Sequence, residues 1–410
     1  MKKLGKVILW LIGIALVLEI LIITAGYFSR RISPHTVLTL RLEGQIEERA
    51  PAEPLTTLLT GPQMTVGEVV ESLDRAARDS RISGLEMRVG ESTLGMASVQ
   101  EIRRKIRDFN RAGKFSVAYL EFGTNRSYYL ASACQTVVLL PTSTLHVRGF
   151  MTSTTFLRGT FDKLGILPDF YHIGEYKNAS DVYTQKKYTP AHREADQTLL
   201  ADFFHQYLQG VAEVRGLKPE EVEKLIAAGP YTAPQALDTK LIDRVAYADE
   251  VRDFVKQKNH DEDTRLSASA YLDRTERGGR SKLAVIYATG TILPGRSSDS
   301  PFGETVMGSD TIAAQFKRAR EDSSVKAVIL RVDSPGGVTF PSEVIRRELL
   351  LTKKQKPVVV SMADVAASGG YWIAMSANRI VAEPATITGS IGVYGGKLNS
   401  LGLYEKLGLT

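Results

Sequence analysis

The sequence predicts an α/β fold built from two related strand–helix units, and three observations carry that expectation. Apolar segments of strand length alternate with helical patterns, which implies βαβ crossovers and a largely parallel sheet. Residues recur at one constant spacing: Arg75, Asp79, Arg88, Tyr128, Pro141 and Gly149 return as Arg318, Asp322, Arg331, Tyr371, Pro384 and Gly392, each 243 positions later. A Ser followed by two Gly, Val365-Ala366-Ala367-Ser368-Gly369-Gly370-Tyr371, stands where a strand run meets a helical one.

Each unit reads as strand, loop, helix (66–78; 311–320), strand (84–89; 327–332), helix (99–110; 341–352), strand, helix and short strand. The openings match as well, with a small gap: the run from Val37 to Gly44 resembles that from Leu283 to Gly290. The expected layout is an N-terminal anchor at 1–31, a first repeat at 36–256, a polar connection at 257–281 and a second repeat at 282–410. The second repeat stops straight after Lys406-Leu407-Gly408-Leu409, which echoes Lys163-Leu164-Gly165-Ile166. On that comparison the chain is expected to be a fragment of a longer protein.

The anchor is the segment Val7 to Tyr27, apolar except for Glu19 and long enough to cross a bilayer as a helix. A cleaved signal peptide is the alternative, but the run is long for one and Thr24-Ala25-Gly26 is a weak cleavage site. Lys2, Lys3 and Lys6 precede it and Arg30 and Arg31 follow it, so charge alone does not orient it.

Composition bounds the rest. The 410 residues are 43% hydrophobic and 24% charged, ordinary globular values that suit two or three domains. The net charge of +6 is modest and spread along the chain, which gives no nucleic-acid footprint. The single Cys, Cys134, excludes an intrachain disulfide and a Cys-based metal site. None of the six His falls in a His-Glu-x-x-His pair, so no metal or cofactor is expected.

The run from Lys356 to Met362 reads as a buried strand, and 371–378 as the helix behind Ser368. A hydroxyl at such a turn has little bulk around it, and the amides after it can receive negative charge. A helix N-cap Ser is the plain alternative. Asp333-Ser334-Pro335-Gly336-Gly337 ends the preceding strand. A Gly336 or Gly337 amide beside that of Gly369 would make an oxyanion hole. The matching positions of the first repeat are Asn125 and Thr93, so that copy keeps the frame and lacks the turn chemistry. No His occupies a telling position as base. A buried Lys can serve when it is neutral, and Lys177 in Gly174-Glu175-Tyr176-Lys177 is the candidate by pattern. Thr388-Gly389-Ser390-Ile391-Gly392 supplies a second Gly-flanked Ser, which would hold the Lys amine.

Together these motifs resemble the signal peptide peptidases of the protease IV type, in their long, duplicated form. The resemblance implies a Clp-protease/crotonase-like βαβ superhelix in two tandem repeats. It implies Ser368 as nucleophile, Lys177 as general base and acid, Ser390 orienting the amine, and Gly336, Gly337 and Gly369 around the oxyanion. It further implies peptide substrates such as cleaved signal peptides, a homo-oligomer, and a single-pass protein of the bacterial inner membrane with its catalytic domains on the periplasmic side. Two other readings stay open: a coenzyme A thioester enzyme using the same amide pair, and an inactive peptide-binding scaffold on the membrane.

Overall fold

A computed structural model describes residues 31–50, 64–275, 281–298 and 305–409. The expected anchor at 7–27 lies outside them. Among the described residues no helix is long and apolar enough to cross a membrane.

The N-terminal half runs β1 (Thr36–Gly44), α1 (Val66–Arg78), β2 (Ile82–Ser92), α2 (Met96–Arg111), β3 (Phe115–Leu120), β4 (Gly123–Thr124), α3 (Asn125–Ala131), β5 (Thr136–Leu139) and β6 (Thr144–His146). It continues through α4 (Arg158–Leu164), β7 (Leu167–His172), α5 (Asp181–Thr184), α6 (Pro190–Arg215), α7 (Pro219–Ala228), β8 (Tyr231–Thr232), α8 (Ala233–Asp238), β9 (Arg244–Val245), α9 (Ala248–Lys258), β10 (Arg265–Ser267) and α10 (Ala268–Arg274). The C-terminal half runs β11 (Lys282–Thr289), β12 (Thr291–Leu293), β13 (Val306–Gly308), α11 (Ser309–Glu321), β14 (Val325–Ser334), α12 (Thr339–Lys353), β15 (Val358–Ala367), α13 (Gly369–Ala374), β16 (Arg379–Val381), β17 (Ile387–Gly389), β18 (Tyr394–Asn399) and α14 (Leu401–Leu407).

The mixed α/β reading holds. Two parallel sheets organise the molecule, one in the order β10-β1-β2-β3-β5-β9 and one in the order β11-β14-β15-β16, with β17 also on β15. Each has its own apolar core. Leu38, Leu73, Leu85 and Phe109 are fully buried in the first, Phe316, Leu330, Leu349 and Val360 in the second. The helices earn their places by ordinary means. Thr65 caps α1 in a box with Glu68, and Val66, Val69, Leu73 and Ala76 bury one stripe of it.

Two expectations change. The stretch expected as a polar connection, 257–281, carries β10 and α10. β10 adds to the edge of the first sheet beside β1, and Tyr271 is buried with its hydroxyl donating to Asp79. A three-residue strand is too short to show alternation in sequence. The strand expected to end at Met362 runs on to Ala367, and the helix behind it is shorter than expected. Its extension is irregular. Val332 faces Met362, whereas Ser334 faces Ala366, so β15 carries two extra residues opposite Asp333.

The halves are joined by a pairing that crosses between them. β7 lies antiparallel to β18 with a six-residue register, Leu167 facing Asn399 and His172 facing Tyr394. α4 and α14, 243 residues apart, both end on a left-handed Gly, Gly165 and Gly408. They touch: the Lys406 amine donates to the carbonyl of Lys163 at 2.6 Å.

Candidate active site

Ser368 stands at the end of β15 with φ 53° and ψ −116°, a backbone conformation that residues other than Gly rarely adopt. Its N–H donates to Gly389 O of β17 at 2.8 Å, and its carbonyl accepts the Trp372 N–H of α13. These bonds hold the turn, and the side chain projects from it into a cavity of about 310 Å³.

Lys177 arrives from the other half. β7, held on β18, delivers the chain to Ile173, whose N–H donates to Val393 O, and Gly174 turns it with φ 86°. The Lys177 stem runs past Gly392, where an added Cβ would come within 3.5 Å of its Cδ and 3.2 Å of Ile173 O. Lys177 is 5% exposed. Its Nζ lies 3.3 Å from Ser368 Oγ, 3.1 Å from Ser390 Oγ and 2.6 Å from Ser390 O. Among the described residues no carboxylate pairs with this amine. Burial with no compensating charge pushes its pKa below the ordinary lysine value.

The glycine loop divides its work. Gly336 has φ 101° and its N–H is already given to Ser334 Oγ at 3.1 Å. An added Cβ on Gly336 would sit 2.6 Å from Gly369 N and 2.9 Å from Ser368 Cβ, so only Gly lets the loop come this close. The Gly337 N–H has no acceptor among the described residues, and Gly369, first in α13, has none within its helix. A Cβ on Gly369 would lie 3.2 Å from Gly337 N, so these two amides stand side by side next to Ser368. Of the three expected glycines, Gly337 and Gly369 have free donors facing the site; Gly336 is the spacer.

The cavity wall beyond the polar atoms is apolar: Tyr371, Trp372, Met375, Ile391 and Val393. The Trp372 indole donates to Glu343 at 2.9 Å, which fixes its ring as part of the wall. A larger cavity, about 580 Å³ along β11, contains neither Ser368 nor Lys177.

The family model for peptidase family S49 matches residues 108–261 and 351–410, the segments that hold Lys177 on one side and Ser368 with Ser390 on the other. The chain belongs to peptidase family S49. It is similar to the chloroplastic serine protease SPPA of Arabidopsis thaliana, 35% identical over 392 residues, covering 93% of this chain and 57% of that protein. It is also similar to Protease 4 of Salmonella typhi, 34% identical over 359 residues (82% of this chain, 57% of the relative). Protease 4 of Haemophilus influenzae is 31% identical over 346 residues, 80% of this chain and 55% of that one. The chain therefore spans a little over half the length of these curated relatives.

In this S49 chain the positions 243 residues upstream of the site are closed. Asn125 lies 243 positions before Ser368, and its side-chain amide both donates to Arg148 O and accepts from Arg148 N at 2.8 Å. Thr93 lies 243 positions before Gly336, and its hydroxyl is bonded to the backbone of Ile46. Sequence reasoning missed two acidic residues beneath the site. Asp333 accepts the Val365 N–H at 2.9 Å, filling the gap that the extra residues of β15 open in the ladder. Burial, with the charges of Asp364 and Glu48 nearby, pushes its carboxyl up to about 6. The other is Asp364. Only the place of Asp333 before the glycine pair signalled either.

Proposed function

We propose that this chain carries the catalytic centre of a membrane-attached serine endopeptidase working through a Ser368/Lys177 dyad. The observation that carries the reading is the Lys177 amine, buried, unpaired with any described carboxylate and 3.3 Å from Ser368 Oγ. Two N–H bonds of a neutral amine can rest on Ser390 O and Oγ, which leaves the nitrogen lone pair for the Ser368 proton. Ser368 Oγ then attacks the peptide carbonyl, and the developing oxyanion is received by the Gly337 and Gly369 amides. The Lys177 ammonium gives its proton to the leaving amine. A water, deprotonated by the same amine, next opens the acyl-enzyme.

The apolar cavity wall favours apolar peptides. Signal peptides are the substrate class we infer, in keeping with the name of a relative from Enterococcus faecium, a signal peptide peptidase SppA, 36% identical over 136 residues. We further propose that the two halves are diverged copies of one unit in a Clp-protease-like arrangement. In this reading Val7–Tyr27 tethers the protein to the bacterial inner membrane with the site outside the cytoplasm, and the protein self-associates. The thioester reading asks for an acid beside the amide pair, where this site presents an amine.

A fluorophosphonate probe tests the centre. Wild type is expected to label at one residue, and Ser368→Ala to lose labelling and about 10⁴-fold in peptide turnover. A Ser368→Ala protein that cleaves peptides at the wild-type rate overturns the reading.

A further inference from the structure

The Asp364 carboxylate is the point where the strand bearing the nucleophile grips the half that bears the amine. The two extra residues of β15 turn Asp364 out of the second sheet, four positions before Ser368. Its oxygens accept the Gly95 N–H at 3.0 Å, the Ser98 N–H at 3.0 Å and the Ser98 hydroxyl at 2.5 Å. These are the orphan donors at the N-terminus of α2, where a negative charge is favoured. The fit is close: a Cβ on Gly95 would lie 2.2 Å from Asp364 Cγ. Polar contacts then lead from α2 to the amine. Arg103 of α2 donates to Gly210 O and Gln100 to Gln206, both on α6, at 2.8 Å. At the start of α6, His192 lies 3.3 Å from buried Asp181, and Tyr176, next to Lys177, donates to Glu194 at 2.9 Å.

We propose that Asp364 is a positioning residue for the Ser368/Lys177 pair: by capping α2 it sets the amine-bearing half against the nucleophile strand. The proposal rests on the peptidase reading above, and the test separates the two. The rate constant for fluorophosphonate labelling of Ser368 is measured against pH in the full chain, for wild type, Asp364→Ala, Asp364→Asn and Ser98→Ala, with melting temperatures alongside.

Asp364→Ala is expected to fold and to label 10- to 100-fold more slowly, the scale of a misplacement of about 1 Å. Its pH midpoint should move up toward that of an ordinary lysine, because an amine drawn away from Ser390 is rehydrated. Asp364→Asn, which keeps an acceptor, should recover part of both. A folded Asp364→Ala with wild-type rate and midpoint overturns the proposal. Should Asp364→Ala fail to fold, Ser98→Ala decides. A severalfold slower rate with a raised midpoint supports the positioning role; unchanged values overturn it. A wild-type chain that does not label overturns the peptidase reading, and this one with it.

Discussion

Lys177 Nζ has three oxygen neighbours, Ser390 O, Ser390 Oγ and Ser368 Oγ, while a neutral amine has only two N–H bonds to give. Protonating the amine engages its lone pair and blocks proton transfer from Ser368. Activity is therefore expected to rise with pH through a single ionisation. Its midpoint should lie below the ordinary lysine value of 10.5, because burial disfavours the ammonium. A kcat/KM profile against pH checks this, and Lys177→Arg, always charged, should be inactive across it. Gly336 gives a second residue-scale outcome. A methyl there meets the Gly369 amide at 2.6 Å, so Gly336→Ala should lower kcat by about 10²-fold, as loss of one oxyanion donor does, with KM little changed. Of the proposed site residues, Ser368 and Ser390 drew attention as Gly-flanked serines, whereas Lys177 carries no comparable local mark and was pointed to by the resemblance to the protease IV type. Which glycine amide faces the oxyanion was not legible. It depends on the Ser334 hydroxyl, which occupies the N–H of Gly336.

At the scale of elements, β15 does the most with a defect. Its two extra residues carry the strand to Ser368 and leave the Val365 N–H to a side chain, Asp333. Holding that carboxyl in a buried place near Asp364 and Glu48 raises its pKa from 3.8 to about 6. The folded state thus binds more protons than the unfolded chain between these values, and stability falls as pH rises through that window. Asp333→Asn keeps an acceptor for Val365 and drops the charge. It should gain up to about 3 kcal/mol at pH 7 and above, and nothing below pH 4, as read from denaturant melts at several pH values. Alternation and helical periodicity made β2, β14, α1 and α2 legible to within a few residues. The extension of β15 was hidden because a register slip leaves no periodic trace. β10 was hidden by its length.

At the scale of the whole molecule, the spacing of 243 residues raised the expectation of two similar halves and said nothing of how they meet. Long-range pairing has no local signature. The halves meet through charge as well as through β7 and β18. Arg331 of β14 is buried against Glu48, donating two bonds at 2.8 and 2.9 Å, and against Glu101 of α2 at 2.9 Å. Arg331→Ala strands two carboxylates and should cost roughly 3–5 kcal/mol, measurable as a lower urea midpoint. The β7–β18 ribbon has one more consequence. Its strands are made more than two hundred residues apart, and the amine emerges from the ribosome long before the alcohol does. Until Tyr394–Asn399 has been synthesised and has zipped onto its partner, β7 has no strand to hold Lys177 beside Ser368. On the proposed reading, cleavage begins only once this ribbon has closed, so chains that still lack β18 are inactive toward one another.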